Sequence, residues 1–158
     1  MKTYTAGLED KDKMWIKDGE LLVGTIDFDR SVWQGYIGAT FTIGGETFKA
    51  ESMKGNTIIL KDGKELFTSV FHPLWGNLEL QAAGQDTGFD IKGRWFKPGT
   101  RLTDADDKDL VVVTADALTG RKIAIEVLDP EVPAVMIALT LYHHVRASAA
   151  KLMLVMRG

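Results

Sequence analysis

From Asp129-Pro130 through Val132 to Met156 the chain carries its long helical pattern, and that pattern is more apolar than a surface helix tolerates. Pro130 and Pro133 suit a first helical turn and not an interior, and no proline follows them. Asp129 offers an N-terminal acceptor, and the charge of Glu131 complements the helix dipole. Val132 to Tyr142 is apolar on nearly every side, with Thr140 as the mild exception. His143, His144, Arg146, Ser148 and Lys151 then fall within one broad arc of the second half.

Such a helix has three fates. A membrane span needs about 18 to 20 residues almost free of charge. Arg146 would lie near the middle of a span from Val132 to Met156, at a cost of about 2.5 to 3.5 kcal/mol or more. An interfacial helix needs one wet face throughout, which the first half lacks. A helix that is apolar all round belongs inside a fold, and a many-stranded barrel leaves room for one. The buried position is the expected one.

The rest of the chain supplies the strands. Glu20 to Phe28 and Trp33 to Ile43 are rich in β-branched and aromatic residues. Gly44-Gly45 marks a tight hairpin into Glu46–Met53, and Asp62-Gly63 marks another between Thr57–Lys61 and Lys64–His72. Further runs are Leu74–Ala82 and Phe89–Phe96, with Gly84 to Gly88 between them as a loop. A short segment begins at Leu102, and Leu110–Thr114, Leu118-Thr119-Gly120 and Lys122–Leu128 complete the series. The spacing predicts roughly ten to twelve antiparallel strands and a mainly β fold. One domain is expected over residues 1–158, with a polar lead-in at 1–13, strands within 14–128 and the helix within 130–157. The core helix is placed at about 132–156.

This order of elements resembles the tubby C-terminal-like domains, which include the LURP-one-related and phospholipid-scramblase-like proteins. The resemblance rests on the hairpins from Glu20 to Leu128, then Asp129-Pro130-Glu131-Val132-Pro133 leading into Ala134–Tyr142. It is one of architecture, covers most of the chain, and carries over no residue role. What it implies is a closed barrel around its C-terminal helix, with an intracellular binding or membrane-associated role. The chain has no cysteine, so it lacks the palmitoylation and cysteine-rich features associated with scramblases.

Composition narrows the function classes. The net charge is -3, which gives no overall pull toward nucleic acid, so no nucleic-acid partner is expected. Without cysteine there is no thiolate nucleophile and no sulfur-ligated metal site. Residues 1–13 lack the apolar core of a secretory signal, and a cytoplasmic location, membrane-peripheral at most, is the expectation.

Among local patches, Lys92, Arg94, Lys97 and Arg101 stand beside Trp95 and Phe96. Cations next to an aromatic can hold a phosphate or lipid headgroup, and these four are the candidate binding residues. Against that stands the ordinary solvated strand face. Asp104, Asp106, Asp107 and Asp109 begin like a calcium loop, but Lys108 takes a ligand position, no glycine follows at the sixth place, and Ala115 stands where a bidentate glutamate belongs. An acidic turn is the expected reading. His143 and His144 point about 100° apart on a helix and cannot chelate one metal as an i, i+4 pair would. No nucleophile elbow, P-loop or zinc-protease motif is present. No catalytic residue, cofactor or metal is therefore assigned. The expected function is a non-enzymatic domain that contacts anionic lipid headgroups or a protein partner. The alternative is a lipocalin-like carrier of a small apolar ligand, with a cavity lined by Phe41, Phe48 and Trp95.

Overall fold

The computed structural model describes residues 2–31, 35–53, 56–74, 76–93, 99–115 and 122–157. Twelve strands follow one another: β1 (Lys2–Asp10), β2 (Lys13–Asp18), β3 (Leu21–Ser31), β4 (Gly35–Ile43), β5 (Glu46–Met53), β6 (Asn56–Lys61), β7 (Lys64–His72), β8 (Asn77–Ala82), β9 (Gln85–Gly93), β10 (Thr100–Thr103), β11 (Asp109–Ala115) and β12 (Ile123–Val127). Each pairs antiparallel with the next, and β12 returns to β1 with Lys2 opposite Val127 and Ala6 opposite Ile123. That last pairing closes the sheet into a barrel and leaves no edge strand.

Alternation sends one face of each strand inward. Met14 and Ile16 of β2, Ala39, Phe41 and Ile43 of β4, Val111 and Val113 of β11, and Ile125 and Val127 of β12 are all buried. Two hairpins follow the turn chemistry of the sequence. Gly44 and Gly45 take φ of 62° and 77°, and Asp62 and Gly63 take 53° and 77°, the left-handed pair that matches the twist of flanking strands.

The helix α1 (Ala134–Arg157) forms the core of this barrel. Every residue from Val135 to His144 is buried. Ten successive residues cover all sides of a helix, so the barrel wall surrounds it. Its partners come from across the ring: Tyr142 packs on Phe28 of β3 and Phe41 of β4, His143 meets Ser69 of β7, and His144 meets Thr100 of β10. Eight strands have room for their own side chains or one small ligand, whereas twelve leave the width of a helix.

Some details differ from the sequence reading, among them the strand expected over Leu74–Ala82, which begins at Asn77 after a turn closed by Gly76 N donating to His72 O. Residues 2–10, taken as part of a polar lead-in, form β1, and without them the barrel would not close. Residues 85–88, taken as loop, begin β9, because the turn is the two-residue Ala83-Gly84 with φ of 53° and 77°. Alanine in the left-handed region hides that turn from a search for glycine and asparagine. Asp129 and Glu131 precede the helix rather than starting it: Asp129 Oδ1 accepts from Glu131 N at 2.9 Å within a separate turn. The run Leu118-Thr119-Gly120 lies outside the described residues.

The two ends of the barrel are distinct. At the base, α1 begins beside the β4–β5 turn. At the mouth, it leaves past β6, where Arg146 Nη1 donates to Thr57 Oγ1 at 3.1 Å.

Candidate functional site

Of the four cations singled out in sequence, Lys92 and Arg101 are brought together, standing opposite each other on β9 and β10. Arg94 and Lys97 lie outside the described residues, as does Trp95. Lys92 Nζ is 2.8 Å from Asp107 Oδ1, and Arg101 bonds the same carboxylate through Nη2. Arg101 Nε also lies 3.0 Å from Asp109 Oδ1. The hydrogen bonds from Lys92 and then Arg101 hold the Asp107 carboxyl below its ordinary range. Any external anion at these two cations must displace an internal carboxylate. The acidic turn satisfies its own backbone: Asp104 Oδ1 accepts from the amides of Asp106 and Lys108 at 2.9 and 3.0 Å.

A polar tier crosses the interior toward the mouth. Ser69 Oγ lies 3.3 Å from His143 Nε2, and Thr100 Oγ1 lies 3.0 Å from His144 Nδ1. The Arg146 guanidinium stacks 5.5 Å from the Tyr142 ring centroid. Burial, and then the charge of Arg146, push His143 down to about 3, so its imidazole is neutral at ordinary pH. Ser69 is fully buried, and a nucleophile there would meet no substrate, so the contact with His143 reads as hydrogen-bond satisfaction. At Phe41 the interior is taken up by Tyr142, whose ring stands edge-on at 5.6 Å. The space that a carrier would give to its ligand is there filled by the helix. Phe48 is buried in the same core.

The mouth carries features that the sequence reading did not single out. Leu8, Phe71 and Leu74 are exposed at this end, Leu74 by 91%. Two signals were available. Phe71 ends an inward row and Leu74 follows Pro73 in the turn after β7, where polar residues are the rule. By alternation Leu8 and Phe71 are also inward positions at the last rung before the mouth. From the same end α1 continues for residues 148–157, about 15 Å of helix at 1.5 Å per residue. Residues 152–156 read Leu-Met-Leu-Val-Met, between Lys151 and Arg157. Among the described residues no helix is long and apolar enough to cross a membrane.

Charge is divided between the ends. The connections at the base, 18–21, 43–46, 61–64, 82–85, 103–109 and 128–133, carry ten acidic and three basic residues. Among described residues the mouth carries four basic residues, Lys11, Lys13, Lys122 and Arg146, and two acidic ones.

No family model, curated protein or solved structure matches this chain.

Proposed function

We propose that this barrel is a membrane-peripheral binding domain that docks by its mouth on an anionic lipid surface. The observation that carries this reading is the mouth, where Arg146 of α1 meets Thr57 and the sequence that follows sets five consecutive apolar residues between the cations Lys151 and Arg157. Exposed Phe71 and Leu74 stand at the same end. Apolar side chains that enter the acyl boundary beside cations that meet headgroups are the two components of interfacial binding. The acidic base would be repelled by such a surface, which fixes the orientation with the barrel axis along the membrane normal. An interior filled by α1 supports surface contact as the mode of action over carriage of a ligand.

Flotation with vesicles tests this. The protein should rise with vesicles containing phosphatidylserine at low salt and stay behind with pure phosphatidylcholine. Each apolar side chain transferred contributes about 1.5 to 3 kcal/mol, so Phe71→Asp with Leu74→Asp should lower the partition coefficient at least about tenfold. Recovery of the wild-type protein in the soluble fraction with both vesicle types overturns the reading.

A further inference from the structure

Two cavities flank the first turn of α1 at the base. One, of about 130 Å³, is lined by Ile16, Val23, Ile43, Ala134 and Ile137, with Tyr4 at its edge. The other, of about 210 Å³, has Phe89, Leu102, Leu110 and Met136 as its floor and Asp129 and Glu131 at its lip. Each has room for one or two aliphatic side chains, and the two share no lining residue. Around them the base keeps a surplus of carboxylates. Asp18 pairs with Lys2, Glu46 with Lys61, and Asp107 and Asp109 with Arg101. Glu20, Asp62, Asp104, Asp106, Asp129 and Glu131 make no ion pair among the described residues.

We infer that the base is a docking surface for the C-terminal helix end of a second copy of this chain. The occupant is the last part of α1, residues 151–157, Lys-Leu-Met-Leu-Val-Met-Arg, which follows the end of the helix that leaves by the mouth. Its apolar run matches two apolar cavities, and its bracketing cations match the acidic lip. The contact joins the mouth of one copy to the base of the next, so it is heterologous, and nothing in it halts growth at two copies. The inference shares its helix end with the membrane reading but does not rest on it. Lipid and base are alternative covers for one segment, and the test below contains no lipid.

Sedimentation velocity of the full chain from micromolar to near-millimolar concentration reads the outcome directly. At low salt the weight-average sedimentation coefficient should rise with concentration and pass beyond the dimer. Near 1 M salt, where charges are screened within about 3 Å, it should fall back toward the monomer. Removal of residues 148–158 should abolish association, and so should Asp129→Lys with Glu131→Lys. The base-reversed chain mixed with one carrying Lys151→Glu and Arg157→Glu should associate again, at concentrations at least tenfold below those either needs alone. A monomer throughout, a species that stops at two copies, association that survives the truncation, or charge reversal without effect or without rescue on mixing would each overturn the inference. Failure here leaves flotation unchanged, and failure of flotation leaves sedimentation unchanged.

Discussion

At the scale of single residues, the least legible group is the interior polar tier, and His143 shows what it does to stability. Its folded pKa, about 3, lies below the ordinary value of 6.5. Between those values the unfolded chain binds a proton that the folded one refuses. The contribution is therefore complete above about pH 6.5 and is lost as pH falls toward 3. By pH 4 the loss is roughly 3 kcal/mol from this group. Urea melts at stepped pH should show that slope, and His143→Gln, which can still meet Ser69, should flatten it relative to wild type. Equal slopes in the two proteins would remove His143 as the cause. In the sequence His143 opens the polar arc that follows the apolar half of the helix. The hydroxyls that meet the two histidines could not be seen, because Ser69, beside His143, and Thr100, beside His144, come from strands far from the helix in the chain. The Lys92 and Arg101 pair tells the opposite story. The sequence put both cations in one neighbourhood, but Asp107 reaches them only through the fold of the β10–β11 turn. Asp107→Asn should release them and raise retention on an anionic resin at low salt. Unchanged retention would mean that the two cations do not govern contact with anions.

At the scale of elements, α1 was the most readable part of the chain, since a helix apolar on every side has few places to go. Its expected bounds of 132–156 differ from the observed Ala134–Arg157 by the turn that Asp129 organises. The glycine-marked hairpins were legible for the same kind of local reason. β1 was not, because Lys2-Thr3-Tyr4-Thr5-Ala6 places only Tyr4 and Ala6 on the inner face and surrounds them with polar residues. Its strand character comes from pairing with β12, at the far end of the strand series. The part of the helix that holds the barrel is its first half, buried from Val135 to His144. Leu139 is fully buried at its centre, and Leu139→Ala should cost about 2 to 5 kcal/mol. Removal of residues 148–158 should move the urea midpoint little. A truncation as damaging as Leu139→Ala would show that the last turns of the helix pack on the barrel.

For the whole molecule, closure and filling are one event. A twelve-stranded wall without its helix would leave Phe28, Phe41, Ile59, Leu80 and Ile125 around an empty interior, and a helix without the wall would expose ten buried residues to water. Neither half can be stable alone, and β1 must meet β12 across nearly the full length of the strand series before the ring exists. Contacts of that sequence separation slow folding to the range of milliseconds to seconds. They also make the final transition cooperative, because no edge is left from which the sheet could fray. Native-state hydrogen exchange should then show one large cooperative unit. Amides of β1 and β12 and of residues 135–144 should exchange with the same free energy, equal to that of global unfolding. Residues 148–157, the last turns of α1, should exchange at least about a hundredfold faster, since local fraying of a helix terminus needs no opening of the barrel. Protection of β1 well below that of β12 would show that the ring opens at that seam before it unfolds, and the barrel would then be a sheet closed by its weakest pairing rather than by the helix it encloses.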